Sequence, residues 1–569
     1  MMDAKPWAFL DQYRGKYFKG TWPTLPEMFR ITVSRFPEQA CFTIFNPERI
    51  TITYREALDK IEQVANFLAA QNLKKGDTVA VTGKNSPEWA VAYLAILFAG
   101  MTVVPIDYQL SSEEIKNILR ASDAQAIFVD EEKYDLLQDS GISQYWSLST
   151  VKPYYIYELM HTASVAIEPP VEEDLAAILF TSGTTGTPKG AMLTHRNFVS
   201  DCYLAQANLN IFETDVFYAL LPIHHAYTML AVFIEAISVG AELVFGQRMV
   251  TTAILKELKE AKVTMFLGVP LLFNKVLAGI LKGIKAKGFF VYGLISFLMA
   301  ISGFIKKVFK VNPGKKMFGT ILDKASLRTI RICICGGGPL APSVFKKYNQ
   351  LGIDFVQGYG LTETSPIVTL NPVEAYKETS VGKILPQVEM KILEPDPDGR
   401  GEIAIKGPMV MKGYYKNEAA TRDVFTEDGW FKTGDVGYLD RDNYLYLTGR
   451  AKNVIVTEGG KNVYPEEIEN SFQLYGEIEQ ILVRGYLIDK REKSEGIEAC
   501  IYPSKEWFEQ NSAKAGITIQ DGDIEARIKH IVDEVNAQLL PYQRISKITI
   551  LTEPLEMTTT KKIKRHVIK

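Results

Sequence analysis

A buried strand running into a loop of hydroxyls and glycines that ends in a lysine sets the tightest constraint on this chain. The apolar run 176–180 (AAILF) passes directly into Thr181, Ser182, Gly183, Thr184, Thr185, Gly186 and Thr187, then through Pro188 to Lys189 and Gly190. Glycines let backbone N–H groups approach phosphate oxygens closely, the Thr and Ser hydroxyls add donors, and Lys189 supplies a point charge. Such a loop is suited to wrapping an anion, and a polyphosphate is the natural ligand. The spacing departs from the Walker pattern, which needs Gly before the Lys and Ser or Thr after it. Here Pro188 precedes Lys189 and Gly190 follows, so an ordinary P-loop NTPase is disfavoured. A plain surface loop of the same composition is the competing explanation.

At 569 residues the chain exceeds what one core can hold, which predicts two or more domains. Its net charge of −3 offers no global field for nucleic acid, and no such partner is expected. Five cysteines, at positions 41, 202, 333, 335 and 500, show neither disulfide density nor zinc spacing, which fits a reducing cytoplasm. Scattered charges at Asp3, Lys5, Asp11 and Arg14, without an apolar signal core, argue against secretion. Residues 289–305 (FFVYGLISFLMAISGFI) carry no charge, with Lys282, Lys285 and Lys287 before them and Lys306, Lys307 and Lys310 after. That length is at the short edge of a membrane span, and lysines on both flanks assign no orientation. A core helix, or a segment touching the inner face of the membrane peripherally, is expected instead.

Helical periodicity through Leu58, Ile61, Val64, Ala65 and Leu68 is followed by a strand at 79–81, a helix at 87–98, a strand at 102–106 and a capping signal at 111–114 (SSEE). Strands recur at 242–245, 265–268 and 331–335. The class is therefore α/β, with helix-covered parallel sheets. From about residue 380, turn signals at 396–399 (DPDG), 428–429 and 442–443 separate short strands and predict a β-rich subdomain. A last segment alternates strand and helix and ends in the basic run 561–566. With no low-complexity linker present, the expected division is a large domain over 1–450, a short hinge, and a small α+β domain over 451–569.

Further loops carry chemistry. Gly336, Gly337, Gly338 and Pro339 follow a strand, so bare backbone there would pass closely over a flat ligand such as a nucleobase, or simply turn. Gln357, Gly358, Tyr359, Gly360, Leu361, Thr362 and Glu363 combine a ring for stacking, a hydroxyl for phosphate and a carboxylate for a hard cation. Thr433, Gly434 and Asp435 set an acid at a turn, suited to ribose hydroxyls. Arg450, after Gly449, would add a ribose or phosphate contact or a surface salt bridge.

In order and at suitable distances, TSGTTGTPKG, YGLTE (359–363), TGD (433–435) and GRAKN (449–453) resemble the motifs of the adenylate-forming superfamily of acyl-CoA synthetases, luciferases and nonribosomal-peptide adenylation domains. The resemblance spans nearly the whole chain, which looks most like a bacterial long-chain or medium-chain fatty acyl-CoA synthetase. It implies ATP, Mg²⁺ and CoA as cofactors, a hydrophobic carboxylic acid as substrate, and a mobile C-terminal domain. It assigns the β- and γ-phosphates to the loop from Thr181 to Lys189, and the adenine to Gly336 through Pro339 with Tyr359 stacked near it. Thr362 would touch the α-phosphate, Glu363 would bind Mg²⁺, Asp435 and Arg450 would hold the ribose, and Lys452 would sit at the hinge. The catalytic lysine of the family matches Lys562, which Ile563 follows, with Lys561 as the alternative. The segment from Thr457 through Gly459, Gly460 and Lys461 matches the lining of the pantetheine tunnel. His225 matches a histidine at the mouth of the acyl pocket, a core or capping histidine being the alternative. Leu230 and the run 266–273 would line an acyl tunnel or belong to the core. An acyl-AMP ligase that loads a carrier protein, an aryl or alicyclic acid–CoA ligase and a luciferase-type oxidase share most of these motifs.

The chemistry explains the parts. A carboxylate is a poor electrophile, so one oxygen must first take on AMP as a leaving group, and charge builds on phosphoryl oxygens as pyrophosphate departs. Positioned cations and donors carry such a step, each contact being worth about 2.7–4 kcal/mol. The thiol attack that follows needs a different geometry and exclusion of water. Lys562→Ala is therefore expected to block adenylation, by roughly 10²–10³ in rate, while sparing thioester formation from supplied acyl-adenylate. Equal loss in both half-reaction assays would overturn the assignment.

Overall fold

The helix Pro87–Phe98 is apolar on every side, and eleven of its twelve residues are buried. A helix without a polar face needs cover all round. It obtains that cover between two sheets, against the strands Thr78–Thr82 and Thr102–Ile106 of one and Ala40–Ile44 of the other. Its start is set by Ser86, whose hydroxyl accepts from the Trp89 N–H at 3.1 Å, and by Pro87 in the first turn. Trp89 stacks on Tyr93 with centroids 5.4 Å apart, and both rings meet Phe233, which packs on Phe42.

The computed structural model describes residues 5–45, 48–159, 163, 165–181, 188–246, 250–457, 461–489, 494–515, 520–557 and 563–565. Its contacts form two compact units. The first comprises Met1–Gly338, Phe345–Met390 and Ile405–Phe431, and the second Pro339–Val344, Lys391–Ala404 and Lys432–Lys569.

The first unit contains both large sheets. One runs in the order Gln144–Ser147, Ala126–Val129, Thr78–Thr82, Thr102–Ile106, Leu175–Thr181, Lys189–Thr194, parallel except for the last strand. The other has nine strands. Its centre is parallel, in the order Asp354–Gly360, Ile332–Cys335, Met265–Gly268, Val216–Ala219, Glu242–Phe245, Ala40–Ile44. The predicted alternation of strand and helix is present, with a full capping box at Ser111 and Glu114. The helix Phe289–Phe309 differs from a core helix: only Met299, Ser302 and Lys306 are buried, because one narrow stripe faces the body.

In the second unit a three-stranded sheet, Ile478–Asp489, Ser494–Pro503 and Lys547–Ile550, packs on the helix Asp521–Asn536 around Val483, Ile501, Ile528 and Ile531. The hairpin of Phe431–Leu439 and Leu445–Arg450 pairs Asp435 with Arg450. All five cysteines are buried free thiols.

Deep in the first unit, Gln206 donates to Glu235 Oε2 at 2.8 Å, and the Ile367 N–H donates to Asp201 Oδ2 at 2.8 Å. Burial pushes Glu235 from its ordinary value of 4.5 up to about 8, and raises Asp201 as well. The folded state thus keeps a proton that the unfolded chain releases, so stability falls as pH rises from 4.5 towards 8. Glu235→Gln keeps an acceptor for Gln206 and removes this titration. Urea unfolding at about pH 5 and about pH 8 is expected to show the wild type losing at least about 1 kcal/mol across that interval and the variant losing less.

Candidate active site

Carboxyl ends of parallel strands are where α/β sheets collect ligands, and here both sheets contribute. The strand Thr102–Ile106 ends at Asp107, and Val216–Ala219 leads to His224 and His225. Asn85, which follows the strand Thr78–Thr82 of the first sheet, holds the second of these segments. Its Nδ2 donates to Ala219 O and Leu221 O, both at 2.9 Å, and its Oδ1 accepts from the Ile223 N–H at 3.0 Å. His224, 3% exposed, brings Nε2 within 3.3 Å of Asp107 Oδ1. His225, 31% exposed, has Nε2 3.9 Å from Oδ2 of the same carboxylate. The two rings lie 4.2 Å apart. One buried carboxylate therefore backs two imidazoles, of which His225 is the outer. His225 occupies the backbone N-cap of the helix Ala226–Thr228 without a side-chain capping bond, which separates it from the capping alternative.

That helix continues through a buried π-helical turn, Met229–Ile234. Such turns recur at functional sites. Leu230 is buried in this turn, and Phe266, Leu267 and Phe273 are buried as well. A cavity of about 60 Å³ opens elsewhere, lined by Asp107, His225, Thr362 and Phe180 together with Ile106 and Leu179.

Beside it stand the stems of the phosphate-type loop. Thr181 ends one strand, Lys189 begins the next, and the two residues pair directly, with the Thr181 hydroxyl donating to Lys189 O at 3.4 Å. Ser182, Gly183, Thr184, Thr185, Gly186 and Thr187 lie outside the described residues. Lys189 Nζ sits 5.2 Å from the ring centroid of Tyr414, whose hydroxyl donates to Glu363 Oε1 at 2.8 Å. Burial, and then the Glu363 charge, push the Tyr414 phenol upward, so it remains a donor at neutral pH. Tyr414 thereby links the lysine of one motif to the carboxylate of another.

Thr362 and Glu363 lie on a short turn locked by Thr364, whose hydroxyl donates to Pro366 O at 2.8 Å and accepts from the Leu361 N–H at 3.0 Å. A Cβ on Gly360 would fall 1.5 Å from Pro366 O, so only glycine fits there. A single half-buried carboxylate suits Mg²⁺, which takes one or two carboxylates and completes its shell with phosphate oxygens and water.

On the neighbouring strands Cys335 pairs with Gln357, so Gly336 to Gly338 and Gly358 with Tyr359 emerge side by side. A Cβ on Gly336 would lie 2.9 Å from the Tyr227 ring, and Gly337 has φ +77°. Two of the three glycines thus have conformational reasons of their own. In the second unit, Pro339 O accepts from Gln473 at 2.9 Å. There too Arg450 Nε lies 2.8 Å from Asp435 Oδ1, bringing the two expected ribose contacts into one ion pair. Lys452 is exposed on the turn Ala451–Asn453, and the Thr457 N–H donates to Lys461 O at 3.0 Å. Gly459, Gly460, Lys561 and Lys562 lie outside the described residues. Just after them, Arg565 is held by Glu469 Oε2 at 2.5 Å and by Val483 O at 3.0 Å.

Sequence reading missed Tyr414, Asn85, Asp107 and His224. Asp107 carried a signal, a carboxylate immediately after a buried strand, whereas nothing around Tyr414 points to a residue 51 positions away.

The family model for AMP-binding enzymes matches residues 29–415. The long-chain-fatty-acid–CoA ligase FadD15 of Mycobacterium bovis is 29% identical over 557 residues, covering 91% of this chain and 90% of the relative. The chloroplastic long-chain-fatty-acid–[acyl-carrier-protein] ligase AEE15 of Arabidopsis thaliana is 28% identical over 632 residues, covering 96% and 85%. The solved structure of o-succinylbenzoate CoA synthetase from Bacillus subtilis, in complex with its acyl-adenylate intermediate, gives a TM-score of 0.74 at 25% identity, covering 95% of this chain and 97% of that one.

Tyr414→Phe removes a hydrogen bond to a charged group, worth about 1.5–3 kcal/mol. Calorimetric titration with ATP and Mg²⁺ is expected to show binding weakened roughly tenfold or more, and the thermal unfolding midpoint is expected to fall by a few degrees. Unaltered affinity would mean that Tyr414 does not position Glu363.

Proposed function

Because the chain belongs to the family of AMP-binding enzymes, we propose that it activates a medium- or long-chain fatty acid to the acyl-adenylate and passes the acyl group to CoA. It is an ATP-dependent, AMP-forming acid–thiol ligase that uses Mg²⁺ and CoA. In the first half-reaction a carboxylate oxygen of the acid bonds to the α-phosphorus of ATP and pyrophosphate leaves. In the second, the CoA sulfur bonds to the acyl carbon and AMP leaves.

The observation that carries this reading is the meeting of His225, Thr362 and Phe180 in one cavity, beside the Lys189–Tyr414–Glu363 chain. His225, backed by Asp107, would orient the acid carboxylate at the polar end, while Ile106, Leu179 and Phe180 offer apolar surface to its chain. Thr362 would hold the α-phosphate, and the loop ending in Lys189 the β- and γ-phosphates. Glu363 would hold Mg²⁺, which when bound neutralises charge on phosphoryl oxygens. Gly336 to Pro339 and Tyr359 would border the adenine, and Asp435 with Arg450 would hold the ribose. Lys562 would act in adenylation, and a hinge at Lys452 between domains 1–450 and 451–569 would exchange it for the segment around Gly459, Gly460 and Lys461. The likeness to FadD15, which is named for long-chain fatty acids, supports an aliphatic acid over an aromatic one. We place the enzyme in the cytoplasm, in peripheral contact with the inner face of the membrane.

The test is release of pyrophosphate and AMP from ATP and Mg²⁺ with a panel of acids running from acetate to long-chain fatty acids and including benzoate, with and without CoA. Turnover that needs both CoA and an aliphatic acid is the expected result. Highest turnover with benzoate would favour an aryl ligase, and adenylation without a CoA-dependent product would favour carrier loading.

A further inference from the structure

We infer that the helix Phe289–Phe309 lies in the plane of an anionic membrane surface, with Phe290, Leu294, Phe297, Ile301, Phe304 and Val308 immersed among lipid chains. This deepens the peripheral contact proposed above. Those six positions are spaced four, three, four, three and four apart, which places them on one stripe of a helix. The stripe faces solvent: Phe290 is 88% and Phe297 63% exposed.

The opposite stripe holds the helix to the body of its own unit. Met299, Ser302 and Lys306 are buried. Lys306 Nζ donates to Asn349 Oδ1 and Asp354 Oδ1, both at 2.6 Å, and a Cβ on Gly303 would lie 2.7 Å from the side chain of Gln350. A helix strapped along one face to a folded body cannot be surrounded by lipid, so it is set on the surface of the bilayer and not across it.

Two observations favour lipid over a second copy of the chain. A helix that docks on protein carries charged and polar residues beside its apolar seam. Here the flanking positions are Val291, Gly293, Ser296, Leu298, Ala300 and Ile305, and no residue from 289 to 305 is charged. The charge along this stretch of sequence has one sign: from Ala261 to Leu322 there are ten lysines and no Asp or Glu, in a chain whose net charge is −3. Lys282, Lys285 and Lys287 are exposed before the helix and Lys316 beyond it, while Lys307 pairs with Glu378 at 3.5 Å and Lys310 Nζ donates to Glu374 O at 2.7 Å. Lysines at both ends of an apolar stripe can bury their stems while their ammonium groups meet anionic headgroups. If the substrate is a fatty acid, which rests on the reading above, docking would bring the enzyme to where that acid partitions.

The experiment is flotation of the full-length protein with vesicles of phosphatidylcholine, alone or mixed with phosphatidylglycerol. Flotation with the mixed vesicles, weakened by salt, is expected. The combined variant Phe290→Ser, Leu294→Ser, Phe297→Ser, Phe304→Ser is expected to lose at least roughly tenfold in partitioning. The charge reversals Lys282→Glu, Lys285→Glu and Lys287→Glu are expected to cost roughly fivefold per lysine. Pyrophosphate release with octanoate in vesicle-free solution should stay at the wild-type level in both variants. Absence of wild-type flotation, equal flotation of the serine variant, or a wild-type dimer in sedimentation that the serine variant dissociates would each overturn the inference. Flotation is read without turnover, so it stands or falls separately from the ligase assignment.

Discussion

Everything in the first unit is organised by the need to bury Pro87–Phe98 on all sides. Eleven apolar or aromatic residues in three turns cannot be covered by one sheet, and the fold answers with two, linked through the aromatic group of Trp89, Tyr93, Phe233 and Phe42. Once the sheets are held on this helix, the loops at their strand ends are held too. Asn85, just before the helix, bonds the segment leading to the paired histidines. The cavity at His225 and Thr362 is thus a consequence of core packing before it is a feature of chemistry.

Around that cavity the charges are arranged in short chains. Asp107 backs His224 and His225, and Tyr414 stands between Lys189 and Glu363. A phenol whose proton is retained by burial can donate to Glu363 without competing for the role of anion. These groups are fixed by backbone devices such as the Gly360 approach to Pro366 and the Thr364 lock. A site assembled this way spends little ordering energy when its ligand arrives.

Two strongly apolar helices among the described residues meet opposite fates. Pro87–Phe98 is packed in the core against the helices Leu25–Arg35 and Tyr54–Ala70 and strands of both sheets, whereas Phe289–Phe309 touches the body through one stripe only. Hydropathy is similar in kind for both, and the difference lies in what the rest of the chain brings alongside. A core location was a reasonable expectation for 289–305 on composition, and only tertiary contacts show the stripe that remains uncovered.

The sequence by itself determined the class of fold, because alternation of apolar runs and helical periodicity is local and each element was legible where it stood, from Thr78–Thr82 to Met265–Gly268. It also determined the ligand class, since the hydroxyl–glycine–lysine loop and the YGLTE and TGD segments are contiguous and carry their chemistry in a few residues. The tertiary structure decided which residues from different motifs meet. Tyr414 reaches Glu363 across 51 positions, and His225 comes near Asp107 on a segment held by Asn85. It also decided that Leu230 and Phe273 are buried, and that the apolar helix at 289–309 faces outward. The reason is physical: propensity and patterning act between neighbours in the chain, whereas burial and side-chain pairing are settled by which elements the packing brings together.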